Sequence, residues 1–172
     1  MGRTIRIDKK KLRRLEPTEN AFVSLVRSII YQQLSGKAAA SILAKFITLF
    51  KQKKFPTPAD ILKLSDTKFK HAGVSAQKAM YIRDLAAKFL DGTINPKQFT
   101  HMSDQDIIDH LVQVKGVGEW TAHMFLIFAL NRPDVLPTGD LAIRKGFMKA
   151  FNLRKVPSHE KMHALASAHK GE

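Results

Sequence analysis

The stretch Leu111-Val-Gln-Val-Lys-Gly-Val-Gly-Glu-Trp-Thr-Ala122 determines the expected fold. Before it, apolar residues at 107, 108, 111 and 112 follow the spacing of one helix face, and Ser103 can cap that helix with Asp106 three residues on. After it, residues 120–130 are uncharged and almost wholly apolar, which indicates a helix buried on most sides. Two glycines between these segments allow a sharp reversal. The pattern predicts a helix, a tight hairpin and a second helix over residues 103–130.

The glycines of this hairpin, Gly116 and Gly118, allow two interpretations. They leave successive backbone N–H groups uncovered at the start of the second helix, and such a site attracts phosphate. In an ordinary corner between helices, one glycine ends the first helix and the other eases entry to the second. The motif alone does not choose between a phosphate site and a structural corner.

Charge indicates the kind of partner. The 172 residues suit one compact unit, and the formal net charge of +14 favours an anionic polymer or surface. Basic charge by itself fits ribosomal, membrane-surface and DNA-binding proteins equally well. It therefore supports the phosphate interpretation without deciding it.

Several classes of site and segment are excluded. The sequence has no cysteine, which rules out disulfides, thiolate zinc sites, iron–sulfur clusters and cysteine nucleophiles. The basic leader, residues 1–17, lacks the apolar core of a secretory signal. The longest uncharged apolar run, Met124–Leu130, is too short to span a bilayer. We therefore expect a soluble, intracellular protein that acts as a monomer and has no membrane partner.

The remaining sequence predicts further helices and no strand, so the fold class is all-α. A core-facing helix starts at Pro17-Thr18-Glu19, and serines at 35, 65, 75 and 158 stand where later helices begin. Asn95-Pro96 is expected to form a turn, and the last helix runs to about His169. A helix starting at Asp140 is expected to bury its residues at 143, 147 and 151.

Three separated motifs carry a resemblance to a known family. The hairpin, together with Leu136-Pro-Thr-Gly-Asp140, resembles the helix-hairpin-helix superfamily of DNA glycosylases. The segment Ser28-Ile-Ile-Tyr-Gln-Gln-Leu-Ser-Gly-Lys-Ala-Ala39 looks like the Gln-Gln-x-Ser segment of its 3-methyladenine DNA glycosylase II branch. The resemblance implies one helical unit over residues 18–172, with two helical lobes, a base pocket between them, and a catalytic loop and helix at 131–151. The family's chain normally continues past this endpoint, so the resemblance also implies that the C-terminal pocket wall is truncated or more open.

The resemblance implies that Asp140 is the catalytic residue of a base excision repair enzyme. Cleavage of a sugar–base bond builds positive charge on the sugar, and an ionised carboxylate stabilises that charge. An aspartate after Thr-Gly at a helix start is also an ordinary N-cap. The two roles are compatible, because helix N–H groups favour the charged carboxylate. No catalytic cofactor is expected.

Trp120 stands where the family's bifunctional members carry a nucleophilic lysine. Its presence implies a monofunctional hydrolase without lyase activity. An indole face also suits a cationic alkylated base such as 3-methyladenine or 7-methylguanine. By resemblance, Tyr31, Met124 and Leu141 complete the base pocket; the last two replace tyrosines of some relatives. The alternative role for Trp120 is a core tryptophan at a helix packing point.

Contacts with double-stranded DNA are assigned by resemblance as well. After the damaged nucleotide flips out, Gln33 or Leu34 fills the gap in the duplex, although Leu34 could instead complete the apolar stripe of its helix. The backbone carbonyls of Val112, Val114 and Val117 are expected to hold Na⁺ or K⁺ that bridges to a phosphate. Other expected contacts with the DNA backbone are Lys115, Gly116, Val117, Gly118, Lys37, Lys78, Arg144 and Lys145.

Two other functions remain as alternatives. The first is a noncatalytic helix-hairpin-helix module that binds DNA without cutting it. The second is a zinc hydrolase, because His159-Glu160-Lys-Met-His163 fits the H-E-x-x-H pattern and His169 falls at a third ligand position. Ala166 argues against the zinc interpretation, since the longer pattern requires glycine there to turn the chain back towards the metal.

Overall fold

The computed structural model describes residues 20–50 and 55–168, and every regular element in these ranges is a helix. The all-α prediction is therefore confirmed. The elements are α1 (Ala21–Tyr31), α2 (Gly36–Thr48), α3 (Pro58–Leu62), α4 (Asp66–His71), α5 (Ala76–Leu90), a 3₁₀ helix (Pro96–His101), α6 (Asp104–Leu111), α7 (Glu119–Phe128), α8 (Leu141–Ala150) and α9 (His159–Ser167).

Polar caps fix most helix starts, as the sequence predicts. The side chains of Ser35, Ser75 and Ser158 each accept a backbone N–H three residues on. Ser103 forms a reciprocal capping box with Asp106 at the start of α6. Each cap satisfies a helix N–H that would otherwise lack a partner, which typically contributes about 1 kcal/mol.

Three local expectations were wrong. The segment from Asn95 continues into a 3₁₀ helix rather than ending as a simple turn, because Pro96 suits a first helical position and the Asn95 side chain caps Lys97 N–H. Helix α7 is not buried on most sides, since Trp120 and Phe128 are half-exposed. Helix α8 contains no fully buried residue, and Ile143 and Phe147 are only partly covered.

The start of α1 also differs in position, since Asn20 caps its first turn. The residues expected to begin that helix, 17–19, lie outside the described ranges, as do the basic leader and residues 169–172.

One continuous apolar core organises the first seven α-helices. Helix α5 packs against α1, α3 and α4, and α1 also packs against α2 and α7. The core gathers phenylalanines at 22, 46, 69, 99 and 125 with many buried aliphatic residues. Among the described residues beyond 130, few apolar side chains are fully buried. Helix α8 contributes none of them, and α9 contributes Met162. The core therefore holds α1, α5 and the α6–α7 hairpin in fixed positions, whereas α8 lies at its edge.

Within the described residues, no helix combines the length and the apolar character that crossing a membrane requires.

Candidate active site

A cleft of about 810 Å³ opens between the end of α1, one face of α5, the hairpin and the start of α7. Three of the predicted pocket residues line it, namely Tyr31, Trp120 and Met124. Leu141 does not: it is the first residue of α8, is 56% exposed, and lies outside the cleft lining. The cleft is wide and partly apolar, which suits a flat aromatic ligand.

Asp140 is joined to this cleft through Trp120. The indole N–H of Trp120 donates to Asp140 Oδ2 at 2.6 Å. The other carboxylate oxygen, Oδ1, accepts the N–H groups of Ala142 and Ile143 at 2.7 and 3.1 Å, so Asp140 is the N-cap of α8. Three donors thus hold both carboxylate oxygens in one orientation.

These hydrogen bonds keep Asp140 ionised. The Trp120 N–H is the largest influence and lowers the pKa of Asp140 below its usual value, and the backbone N–H of Ile143 lowers it further. Partial burial opposes this shift but does not reverse it. Trp120 itself is 49% exposed, so its alternative role as a core residue is excluded. The pair offers a permanent negative charge next to an open indole face.

The loop that carries Asp140 is tied to the segment around α9. Thr138, which is buried, shares a hydrogen bond of 2.9 Å between its Oγ1 and His159 Nδ1. Arg144 on α8 donates from Nε and Nη2 to the Pro157 carbonyl oxygen at 3.2 and 3.0 Å. Arg144, predicted to contact phosphate, therefore directs its guanidinium at the protein backbone.

The H-E-x-x-H segment does not form a metal site with other described residues. No three His, Cys, Asp or Glu side chains within residues 20–50 and 55–168 come together as metal ligands. His159 is engaged with Thr138, and the third ligand of the zinc hypothesis, His169, lies outside those ranges. The geometry gives the first histidine a role in holding the Asp140 loop.

The hairpin glycines differ from each other. Gly116 has φ +77°, and a Cβ added there would overlap the ring of Tyr81. Gly118 has φ −96°, and a Cβ added there would meet no atom within 4 Å. Gly116 is thus required by the fold, whereas Gly118 leaves an open surface at the N-terminus of α7. Val114 and Val117 anchor the hairpin in the core, and Lys115 is exposed.

The turn after α1 presents two side chains to solvent. Helix α1 ends at Tyr31, Gln33 has φ +57°, and Leu34 is 39% exposed. The alternative that Leu34 completes the buried stripe of α1 is therefore wrong, because the helix has ended three residues earlier. Either side chain is free to project towards a partner.

The predicted backbone-contact lysines fall into two groups. Lys37, Lys115 and Lys145 are exposed. Lys78 is partly buried, and its ammonium donates to the carbonyl oxygens of Ile30 and Gln32, both at 2.7 Å. Burial lowers the pKa of Lys78. Two of its three N–H donors therefore bind the C-terminal end of α1, and its contact with phosphate stays a prediction.

Several residues lining the cleft were missed by the sequence analysis. Arg27 and Ser28 lie on α1 one turn before Tyr31, and Gln77 and Tyr81 lie on α5. The helical spacing of Arg27 and Tyr31 could have indicated that both face the same side. No local pattern marks the α5 residues, because they reach the cleft through tertiary packing.

Comparison with known proteins places this geometry in a family. Over 157 residues the chain is 36% identical to DNA-3-methyladenine glycosylase 1 of Schizosaccharomyces pombe, covering 91% of this chain and 66% of that protein. It is 34% identical to the DNA-3-methyladenine glycosylase of Saccharomyces cerevisiae, covering 76% and 47%. The chain thus spans about half to two thirds of the length of these curated relatives.

Solved structures agree with the sequence comparison. The S. pombe 3-methyladenine DNA glycosylase in complex with abasic DNA superposes with a TM-score of 0.74 at 34% identity, covering 92% of this chain and 76% of that one. A DNA-3-methyladenine glycosidase from Bacillus halodurans superposes with a TM-score of 0.85 at 31% identity, covering 92% and 72%. Residues 26–169 match the HhH-GPD superfamily base excision DNA repair protein family, and the chain therefore belongs to that family.

Proposed function

We propose that this chain is a monofunctional DNA glycosylase that flips an alkylated base out of duplex DNA and hydrolyses its N-glycosidic bond. The observation that carries the proposal is the carboxylate of Asp140, held ionised by the Trp120 indole at the edge of an open cleft. The named activities of the relatives support the substrate class.

The reaction follows from the charge at Asp140. As the bond between the sugar and the base lengthens, positive charge develops on the sugar, and the carboxylate stabilises it. Water adds to the anomeric carbon and loses a proton, while the base leaves with the bonding electron pair. A cationic base such as 3-methyladenine or 7-methylguanine leaves as a neutral molecule, so it requires little acid assistance.

Trp120 supports both the reaction type and the choice of base. No amine nucleophile stands at this position, so the product is an intact abasic strand and no Schiff base forms. The exposed indole face attracts a cationic base by about 0.5–2 kcal/mol. Tyr31 and Met124 supply the remaining aromatic and polarisable walls of the cleft.

Duplex DNA is the partner that the exposed hairpin favours. The N–H groups at the start of α7 and the charge of Lys115 suit a phosphate, and Gly118 leaves room for one. Gln33 or Leu34 would fill the gap left by the flipped nucleotide. Lys37 and Lys145 are further proposed phosphate contacts, and the reaction would take place inside the cell, where the DNA is.

A monovalent cation at the hairpin carbonyls is part of the proposal. The Val114 carbonyl oxygen accepts the Val117 N–H at 3.0 Å and keeps a second lone pair, while Val112 and Val117 supply two more neutral oxygens. Neutral carbonyl oxygens suit Na⁺ or K⁺. Such an ion would supply positive charge between the hairpin and a phosphate.

A panel of duplexes, each with one modified base, tests the function. We expect release of 3-methyladenine or 7-methylguanine, an abasic strand that breaks only on later treatment with base or heat, and no borohydride-trapped adduct. Strand scission without such treatment, or a trapped adduct, would contradict the monofunctional mechanism. Tight duplex binding with no base released from any lesion would favour the noncatalytic module.

A further inference from the structure

One face of α5 contacts both segments that are proposed to touch DNA. Lys78, Tyr81 and Asp84 follow each other at three-residue spacing, which places them on the same side of the helix. Lys78 reaches the turn after α1, and the other two reach the hairpin. Helix α5 therefore sets the position of both the turn and the hairpin.

On the turn side, the Lys78 ammonium closes the end of α1. It donates to the carbonyl oxygens of Ile30 and Gln32, two groups that have no partner within a helix that ends at Tyr31. Positive charge is also favourable at a helix C-terminus. These bonds hold the backbone immediately before Gln33, whose left-handed conformation needs support from its surroundings.

On the hairpin side, Asp84 and Tyr81 contact the consecutive residues Lys115 and Gly116. Asp84 Oδ2 accepts the backbone N–H of Lys115 at 2.8 Å, and the Tyr81 ring fills the space where Gly116 lacks a side chain. Asp84 is in turn paired with Lys88 at 3.1 Å. Burial raises the pKa of Asp84, but the Lys115 N–H and Lys88 outweigh burial and lower it, so the carboxylate stays charged.

Gln32 links the two segments directly. Its side-chain Nε2 donates to the Gly116 carbonyl oxygen at 2.7 Å, across 84 positions of the sequence. The backbone of the same residue is held by Lys78. Turn, α5 and hairpin thus form a closed ring of contacts, in which the side chain of Gln32 joins the turn directly to the hairpin.

We propose that Gln32 is a positioning residue that fixes the gap-filling turn at a set distance from the phosphate-binding hairpin. Duplex held by the hairpin then meets Gln33 and Leu34 already aimed at the base stack. The turn is already ordered before DNA binds, so binding does not carry the entropic cost of ordering it. This favours insertion of the two side chains. This inference rests on the proposed DNA-binding role, and it assigns Gln32 a positioning role rather than a catalytic one.

The test is Gln32→Ala, with Gln105→Ala as the matched control. Gln105 makes its side-chain bond only to Asp109 on the same helix, so its loss should not affect the turn. The first measurement is affinity for undamaged duplex. It should stay within about twofold, because Asp84 and Tyr81 still hold the hairpin when one modest hydrogen bond is lost.

The second measurement is fluorescence of 2-aminopurine placed opposite an abasic-site analogue, which reports a side chain entering the gap. The parent and the control should change the signal equally. Gln32→Ala should need about tenfold more protein to reach half the change, or insert about tenfold more slowly. Lys78→Met, which keeps the aliphatic stem and deletes one bond to the last turn of α1 and one to Gln32, should behave in the same way.

A comparison in a second background tests whether Gln32 acts on insertion through Gln33 and Leu34. In a Gln33→Ala/Leu34→Ala background, the further change Gln32→Ala should have no added effect on insertion, because the side chains it positions are gone. Additive effects, an equal loss of undamaged-duplex affinity, or parent-like insertion by Gln32→Ala would overturn the inference. A parent that produces no fluorescence change would overturn it too. Failure of the lesion panel alone would remove the proposed catalysis and leave this result standing.

Discussion

The regions before and after residue 130 hold their shapes in different ways. Residues 20–50 and 55–130 share a continuous apolar core, and the hairpin and the turn are attached to it. The segment at 131–168 relies far more on polar contacts: Trp120 with Asp140, Thr138 with His159, and Arg144 with the Pro157 carbonyl. We infer that the first region sets where DNA lies, whereas the second sets the orientation of one carboxylate. Substitutions in the first region should therefore change stability or DNA binding, whereas substitutions in the second, or of the Trp120 side chain that bonds to it, should change the rate of excision.

The largest effect on stability is expected at Gly116. Gly116→Ala forces a side chain into a left-handed backbone and into the Tyr81 ring, and should destabilise the protein by about 2 kcal/mol. Gly118→Ala faces open space and should cost less than about 1 kcal/mol, yet weaken duplex binding. Denaturant unfolding and binding titrations measure both. Equal stability of the two variants would remove the distinction between a structural and an interface glycine.

Trp120→Phe should act on the rate of excision rather than on the fold. It keeps an aromatic face but deletes the donor to Asp140 Oδ2, and we expect excision to slow by about tenfold near neutral pH. In the proposed mechanism the carboxylate of Asp140 is the active form, so a lowered pKa should keep excision active at lower pH. In the variant the pKa of Asp140 rises back towards its usual value, because the indole donor is lost, and the acid limb of the rate profile moves to higher pH. Phe128→Leu, at the far end of α7, is the control; an unmoved limb in Trp120→Phe would contradict the role of the indole N–H.

A smaller effect is expected from Thr138→Val. The change keeps shape and removes the hydroxyl bonded to His159, so the Asp140 loop should exchange its amide hydrogens faster and excision should slow by about threefold. Thr138→Ser retains the hydroxyl and should restore the parent rate. Duplex affinity should not change in either variant. A loss of affinity equal to the loss of rate would show that this loop also positions DNA.

The sequence predicted the elements because their causes are local. Ser103 and Ser75 predict helix starts, and Asp140 is recognisable as an N-cap. The paired glycines predict the hairpin. The sequence also singled out Trp120 and Asp140 separately, and only the fold shows that a hydrogen bond joins them.

The failures have a physical reason as well. The phosphate contact of Lys78 stays a prediction, but the sequence did not indicate that packing of α5 against α1 brings its ammonium to two backbone carbonyls. The bond from Gln32 to Gly116 joins residues far apart in the chain and leaves no local pattern. Leu141 was placed in the pocket by resemblance, whereas α8 carries it to an exposed position. Long-range polar contacts are what the sequence does not reveal.

The most direct test of the account is the single-turnover excision rate of Asp140→Asn, compared with Trp120→Phe. Asparagine keeps an oxygen for the N–H groups of Ala142 and Ile143, so α8 should persist. Both variants disturb the bond to the indole, but only Asp140→Asn loses the charge. We predict that it binds lesion-containing duplex like the parent and excises the base at least about 100-fold more slowly, well below Trp120→Phe. Excision by Asp140→Asn at a rate near that of the parent would contradict the proposed mechanism.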